Sequence, residues 1–334
     1  MGNVLVTGAF GQLGTELRLL TAGRPDFIFT DIREDGPVRV LDICNAAAVE
    51  RFVAENHVTA IINCAAYTDV NRAESDEALC RAINAAGPAN LARSAKRHDA
   101  TLIHISTEYV FDGKRRSGGY LESDRRHPLS AYGRSKREGE DRVRRSGCRG
   151  VIVRTSWLYS PFGKNFMKTM LRLGAEKPEV SVVHDQVGSP TYARDLAEAL
   201  LTILPRIGSR RGEIYHFTND GICSWAGFAG AIMEEAGLPY VLGKTWTTDA
   251  PHRETRGNFE KRKAEGCISV EMECAAVQAM SDLRGLNVYY FLTSGDLLDS
   301  PKWDARMEKD RKKQTQHDPG HFDIALELAY YVAG

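Results

Sequence analysis

Val6-Thr7-Gly8-Ala9-Phe10-Gly11-Gln12-Leu13-Gly14 stands almost at the head of the chain, with glycines at 8, 11 and 14. An apolar run, residues 4–6, leads into it, and Thr15-Glu16-Leu17-Arg18-Leu19-Leu20 leads out. The succession predicts strand, glycine turn and helix. In such a turn the first glycine permits the tight bend, the second lets a pyrophosphate come close to the backbone, and the third lets helix and strand pack tightly. The helix start then presents unpaired N–H groups and the positive end of its dipole to phosphate. Asp31 closes a second apolar run, Phe27-Ile28-Phe29, and an acidic side chain there can accept hydrogen bonds from an adenosine ribose. Gly-rich turns also occur in α/β proteins that bind no dinucleotide. Here both flanks carry the patterns that the dinucleotide reading requires.

The 334 residues suffice for two domains or for one large α/β unit with an appended lobe. At 43% hydrophobic and 26% charged, the composition is that of an ordinary globular protein. The 44 basic and 44 acidic residues balance, so neither nucleic acid nor an anionic membrane is expected as a partner. No apolar run approaches a membrane span, and the first residues lack the basic-then-apolar pattern of a secretory signal. Seven cysteines are scattered without a C-x-x-C pair, which reads as reduced thiols in a cytoplasmic protein and argues against a metal site. No sequence feature fixes the oligomeric state, and a homodimer stays open.

Strand-like runs at 58–63, 101–106 and 150–154 alternate with helical patterns, the longest over residues 76–98. This alternation predicts an α/β fold, a Rossmann-type doubly wound parallel sheet with right-handed crossovers. Ligands of such sheets bind beyond the carboxyl ends of the strands, which singles out Gly8, Asp31, Cys64-Ala65-Ala66, Thr107 and Thr155. A loop rich in charge and glycine, residues 113–126, interrupts the pattern. After it, Ser130 is placed to cap a helix on which Tyr132 and Lys136, four residues apart, share one face.

That pair suits hydride chemistry, in which a cofactor carries the redox step and the protein supplies a proton and holds the carbonyl. A phenol titrates near ~10, too high for easy proton exchange at neutral pH. An ammonium one helical turn away is expected to lower it, as would an oxidised nicotinamide. Thr107 ends the preceding strand and can hydrogen-bond the substrate oxygen while Tyr132 gives up its proton. A Y-x-x-x-K spacing alone is common on surface helices, so its weight comes from the glycine turn upstream and from Ser106-Thr107.

Several further stretches follow in order: Ile62-Asn63-Cys64-Ala65-Ala66-Tyr67-Thr68-Asp69-Val70 with Ala73-Glu74, Ser106-Thr107-Glu108-Tyr109-Val110-Phe111-Asp112-Gly113, Arg154-Thr155-Ser156-Trp157-Leu158-Tyr159, Asp185-Gln186-Val187-Gly188-Ser189-Pro190-Thr191 and Tyr215-His216-Phe217-Thr218-Asn219 with Ser224-Trp225. With the glycine turn and the Tyr132/Lys136 pair, residues 1–240 resemble an extended short-chain dehydrogenase/reductase, and within that group the dTDP-4-dehydrorhamnose reductases. The resemblance implies an NADPH- or NADH-dependent reduction of a nucleotide-linked 4-keto-6-deoxysugar on the way to surface polysaccharide. It implies that Gly8, Gly11, Gln12, Leu13 and Gly14 hold the pyrophosphate, and that Asp31, Ile32, Asp42 and Ile43 line the adenosine pocket. Ala65, Ala66 and Tyr67 would flank the nicotinamide ribose. Thr107, Tyr132 and Lys136 would be catalytic, and Tyr109 and Trp157 would contact the deoxysugar. A substrate lobe is expected from about 156–185 and 220–240. One departure is visible: the family usually has Asp after Ser-Thr, where this chain has Glu108, a change expected to be tolerated. Asp31 favours NADH, whereas Arg33 could pair with a 2′-phosphate.

Past residue 240 the pattern changes. The stretches at 242–255 and at 266–276 resemble the C-terminal part of a nucleoside phosphorylase, in which Met272 and Glu273 would face a ribose and Asp296 a base. No glycine-rich phosphate loop of that family precedes them. Residues 241–334 are therefore expected to form an appended α/β segment, the product of a natural fusion or of an artefact. Two alternatives to the reductase stand beside it: a non-catalytic dinucleotide-binding regulatory protein, and a nucleoside phosphorylase working through the C-terminal segment.

Overall fold

The structure is a computed structural model that describes residues 2–115, 118–177, 180–238, 244–247, 261, 262, 264 and 267–271. Seven strands build its main sheet: β1 (Asn3–Thr7), β2 (Phe27–Asp31), β3 (Arg39–Val40), β4 (Val58–Asn63), β5 (Thr101–Thr107), β6 (Arg149–Thr155) and β7 (Arg211–His216). Their order is β7-β6-β5-β4-β1-β2-β3, and every pair is parallel. The direction of winding reverses between β1 and β4, where an open α/β sheet places its ligand crevice.

Burial explains why these strands read as apolar runs. Leu5, Ile61, Leu102 and Ile152 face one layer of helices, α2 (Ala46–Glu55), α5 (Gly87–Arg97) and α6 (Ala131–Ser146), and pack with Val49, Val53, Leu91 and Val143. Val4, Val6, Ile62, Ile103, Val151 and Val153 face the opposite layer, α1 (Gln12–Leu20) and α8 (Ala193–Ile203), and pack with Leu13, Leu17, Leu196 and Leu200. A sheet covered on both faces has no polar side to alternate with. Each fully buried Leu or Ile contributes roughly 1.5–3 kcal/mol of transfer free energy.

The helix expected over 76–98 is not uniform. It runs as α4 (Glu77–Arg81), a π-helical turn Ala82–Ala86 and α5. Pro88 has no N–H to offer the Asn84 carbonyl, so the regular ladder cannot close there and the turn widens. The widened turn meets α6 at Gly139, where a Cβ would lie 2.1 Å from the Asn84 carbonyl oxygen. A short helix α3 (Val70–Ser75) precedes this stretch, its first turn capped by Asp69, which accepts the Arg72 N–H at 3.0 Å.

The chain divides into two compact units. The first comprises residues 1–166 and 188–223 and holds the sheet. The second draws on residues 167–187 and on the described residues from Ser224 onward. Within the second, helix α9 (Trp225–Glu235) is capped by Ser224, whose Oγ accepts the Gly227 N–H at 3.0 Å. Gly174 of α7 (Phe166–Glu176) lies against Met233, whose Sδ would be 2.5 Å from an added Cβ. Lys244–Thr247 pairs in parallel with Cys267–Glu271. Met272, Glu273 and Asp296, the residues expected to carry phosphorylase-like contacts, lie outside the described residues.

Candidate active site

The glycine turn lies at the reversal point of the sheet. Gly8 has φ +72°, a left-handed backbone, and a Cβ there would sit 2.6 Å from the Ala65 nitrogen. At Gly14 a Cβ would sit 2.1 Å from the Gly8 carbonyl oxygen. The first and third glycines are thus required by close approach, while Gly11 meets only the Gly8 oxygen, at 3.3 Å, and keeps its outer side open. Helix α1 starts without a side-chain cap, so its first-turn N–H groups remain available to an anion. Gln12 is held from two sides: its Nε2 donates to Leu158 O at 3.4 Å and its Oε1 accepts from Asn165 at 2.9 Å. This cradle fits a pyrophosphate.

Three expected cofactor contacts take a different form. The Leu13 side chain is buried in the core, so only its backbone can face a phosphate. Ile43 is likewise buried against α5, where its Cδ1 would lie 2.5 Å from a Cβ at Gly87. The Asp31 carboxylate is already engaged, one oxygen accepting the Phe10 N–H at 3.0 Å and the other the Ile32 N–H at 2.8 Å. Asp31 therefore fastens the glycine turn to the end of β2. Asp42 accepts the Cys44 N–H at 2.8 Å, and Ile32 is 76% exposed. The guanidinium carbons of Arg18 and Arg33 lie 5.6 and 4.8 Å from the Phe10 ring centre.

At the ends of β5 and α6 the structure brings Thr107, Tyr132 and Lys136 together. Ser130 caps α6 as expected, accepting the Gly133 N–H at 3.0 Å. Tyr132 and Lys136 are both buried. Lys136 Nζ donates to the Ile105 carbonyl of β5 at 2.7 Å. Burial pushes Lys136 down to about 8, against the pull of Glu140, Cys80 and Cys64. Tyr132 differs from the sequence expectation. Burial and then the neighbouring Glu108 carboxylate push its phenol above the ordinary value, opposed by a hydrogen bond with Thr107. The expected downward pull of Lys136 does not prevail, because its ammonium is aimed at the Ile105 carbonyl and desolvation outweighs the remaining field.

Sequence reasoning missed the groups that hold this trio. Asn84, from the π-helical turn, bonds both backbone groups of Tyr67: its Oδ1 accepts the N–H at 2.9 Å and its Nδ2 donates to the carbonyl at 3.0 Å. The same Nδ2 donates to Ser135 Oγ at 3.1 Å, and Ser135 donates to Tyr132 O at 2.7 Å. Asn is a poor residue for a helix interior, and that misfit was the available signal. Glu74 reaches the start of α6 and accepts the Ala131 N–H at 2.6 Å. Beneath the trio, Thr7 donates to Asn63 Oδ1 at 2.7 Å and Asn63 Nδ2 lies 2.9 Å from His104 Nδ1, tying the ends of β1, β4 and β5. Burial, reinforced by Lys136, holds His104 well below its ordinary value, so that imidazole is neutral.

The two residues expected to touch the sugar also lie here. Tyr109 meets Tyr132 edge to face, ring centres 5.5 Å apart. Trp157 adopts φ +46°, costly for a bulky side chain by about 1–3 kcal/mol. In that conformation its N–H bonds the Glu108 carboxylate, its carbonyl accepts the Thr191 N–H at 3.2 Å, and its ring covers Gly188. A cavity of about 730 Å³ bounded by Arg126, Arg137, Arg154, Arg211 and Tyr215 does not include the trio.

A parallel sheet with a glycine cradle at its reversal point, and a Thr-Tyr-Lys trio beside it, defines an oxidoreductase of the short-chain dehydrogenase/reductase class. The chain matches the family described as RmlD substrate binding domain over residues 2–260, and it belongs to that family, the dTDP-4-dehydrorhamnose reductases. The dTDP-4-dehydrorhamnose reductase of Aggregatibacter actinomycetemcomitans is 39% identical over 275 residues, covering 81% of this chain and 91% of the relative. Among solved structures, a dTDP-4-dehydrorhamnose reductase from Clostridium acetobutylicum is 37% identical with a TM-score of 0.67, covering 84% of this chain and 99% of that one. The dTDP-4-dehydrorhamnose reductase of Bacillus anthracis in complex with NADP is 40% identical with a TM-score of 0.64, covering 72% of this chain and 84% of that one. The family match passes residue 240, so the whole stretch at 242–255, expected to be phosphorylase-like, falls within the reductase family's span.

Proposed function

We propose that this chain reduces the 4-keto group of a dTDP-linked 4-dehydro-6-deoxysugar, dTDP-4-dehydro-L-rhamnose, to the 4-hydroxyl. NADPH or NADH supplies the hydride when bound. The observation that carries the reading is the convergence of Thr107, Tyr132 and Lys136 at the carboxyl end of β5, within the unit that holds the glycine cradle.

Each group has a role that its surroundings support. Tyr132 is the proton donor. Burial and Glu108 keep its phenol protonated, as a donor must be in the reducing direction. Thr107 holds the carbonyl oxygen. Lys136 spends one N–H on Ile105 and keeps two for the nicotinamide ribose, beside Ala65, Ala66 and Tyr67. Gly8, Gly11, Gly14, Gln12 and the Leu13 backbone hold the pyrophosphate, and Asp31, Ile32, Asp42 and Ile43 stand on the adenosine side. Arg33 and Arg18 lie over Phe10 on the flank of that turn, which supports acceptance of a 2′-phosphate alongside the Asp31 preference for a free ribose. Tyr109 and Trp157 contact the deoxysugar.

The test is turnover of dTDP-4-dehydro-L-rhamnose with NADPH and with NADH. Cofactor binding without turnover would replace this reading with that of a non-catalytic dinucleotide-binding protein. The phosphorylase-like resemblance of residues 241–334 adds no second activity: no phosphate loop of that kind precedes it in the sequence, and positioning of phosphate is a large part of such catalysis. Uridine, inosine and adenosine with phosphate should remain uncleaved. A cytoplasmic location fits the free thiols of Cys44, Cys64, Cys80, Cys148 and Cys223.

A further inference from the structure

Thr107 has a single hydroxyl hydrogen, and its neighbours decide where that hydrogen points. Its Oγ1 accepts the Tyr109 N–H at 3.3 Å and lies 2.8 Å from Glu108 Oε2. An ionised carboxylate only accepts, so with Glu108 charged the Thr107 hydrogen must point at Oε2. One lone pair of Oγ1 is taken by the Tyr109 N–H. In that state the Thr107 hydrogen is directed toward Glu108 and does not face a carbonyl oxygen of the substrate.

A protonated Glu108 reverses that bond. Its O–H donates to Thr107, whose lone pairs are filled by Glu108 and the Tyr109 N–H. The Thr107 hydrogen is released and can turn to the side where the carbonyl oxygen must bind.

We propose that Glu108 is a positioning residue that sets the direction of the Thr107 hydroxyl, its protonated form leaving that hydrogen for the substrate's carbonyl oxygen and its ionised form turning it away. The proposal rests on the reading of Thr107 and Tyr132 as the groups that hold and protonate that oxygen. Glu108 keeps its own proton through turnover. The proton delivered to the alcohol is that of Tyr132, and hydride is the other atom added.

The surroundings suit such a switch. The Trp157 N–H, delivered by the left-handed backbone at that residue, also bonds the Glu108 carboxylate. The titratable groups described around the trio include Tyr132 and Lys136 from α6, Cys80 from α4, Cys64 after β4, His104 from β5, and Tyr67 and Tyr109, which pack against the Tyr132 cluster. Tyr132 interacts with Glu108, whereas Lys136 is directed to Ile105 and is influenced by Glu140, Cys80 and Cys64. Burial outweighs the hydrogen bonds from Thr107 and Trp157 and pushes Glu108 up to about 7, so both protonation states are populated near neutral pH.

The experiment is the pH profile of kcat/KM for dTDP-4-dehydro-L-rhamnose with NADPH between pH 5.5 and 9.5, on the full chain and on Glu108→Gln, with NADPH dissociation constants measured alongside. The glutamine amide is a permanent donor to Thr107. The parent should lose about tenfold per pH unit above neutrality. The glutamine variant should stay within a few-fold of the parent at pH 6, exceed it at pH 8, and decline only with Lys136. NADPH affinity should be equal in the two proteins. A parent profile that is flat between pH 6 and 8 overturns the proposal whatever the variant does. So does a variant that keeps the descending limb, or that loses activity equally at every pH with NADPH binding intact. Thr107→Val separates this failure from failure of the underlying reading. If it is fully active, Thr107 does not hold the oxygen. If it is impaired while the limb survives in Glu108→Gln, only the switch is wrong.

Discussion

Arg154 of β6 binds both oxygens of Glu140 of α6 at 2.8 Å, with both side chains buried. Ser106 adds a donor at 2.7 Å and Arg126 another at 3.0 Å, so the carboxylate is saturated one residue along β5 from Thr107. This pair locks the helix that carries Tyr132 and Lys136 onto the strand that carries Thr107. Removing one partner strands a buried charge, at a cost of about 3–5 kcal/mol. Glu140→Ala should therefore lower the unfolding free energy by that amount in urea titration, whereas Arg154→Met should cost less, because Arg126 and Ser106 still meet the Glu140 carboxylate. The double variant should be less destabilised than the sum of the singles. Additive losses would show that the two side chains are not energetically coupled.

Gly14→Ala should affect both folding and cofactor binding. The added methyl would meet the Gly8 carbonyl oxygen at 2.1 Å, a backbone atom that cannot swing aside. The glycine turn must then open or α1 must retreat from it. Gly11→Ala meets that oxygen at 3.3 Å and should be far milder for stability. A thermal melt should rank Gly14→Ala well below Gly11→Ala. Isothermal titration with NADPH should show weakened binding in both, since a methyl at either position intrudes on the cradle. Equal melting temperatures would contradict the packing argument.

What the sequence made legible follows from the range of the interactions involved. The strand at 58–63 and the Ser130 cap rest on neighbouring residues, and both stand where local pattern places them. The π-helical turn depends on Pro88 denying a partner to the Asn84 carbonyl and on Gly139, far along the chain, leaving room for that carbonyl. Glu140 sits in Lys136-Arg137-Glu138-Gly139-Glu140, a charged run in which nothing local singles it out. Only the arrival of Arg154, Arg126 and Ser106 from other elements turns it into a buried anchor. The trio itself was visible as a spacing. The field around it was not, because the upward push on Tyr132 comes from burial and from Glu108, neither of which a spacing reports.

Tyr132→Phe should separate binding from chemistry. The ring's edge-to-face contact with Tyr109 does not need the hydroxyl, so the fold and the cofactor cradle should be unchanged. Loss of the proton donor should lower kcat by about 10²–10⁴-fold. On the proposed reading Lys136→Ala should also weaken cofactor binding, since two of its N–H groups would serve the ribose. Stopped-flow turnover and fluorescence titration with NADPH measure the two effects. Retention of kcat within a few-fold in Tyr132→Phe would remove it from the chemistry, and an unchanged NADPH dissociation constant in Lys136→Ala would place that ammonium outside the cofactor pocket.

Glu108 should leave a signature in stability that is independent of turnover. Burial raises its folded-state value from the ordinary 4.5 to about 7. Between those values the folded chain retains a proton that the unfolded chain has released. The contribution is therefore fully present below pH 4.5 and is lost as pH rises through 7, amounting to about 3 kcal/mol over the whole interval. Glu108→Gln has no such proton. Urea unfolding of parent and variant at half-unit steps from pH 4.5 to 8.5 should show the variant gaining on the parent by about that amount, with the gain centred between pH 5 and 7. Acid-labile carboxylates elsewhere, such as Glu138 beside Arg81, shift both proteins alike and cancel in the difference. A difference that does not change with pH would mean that Glu108 is ionised in the folded protein throughout, and would remove the proton on which the direction of the Thr107 hydroxyl depends.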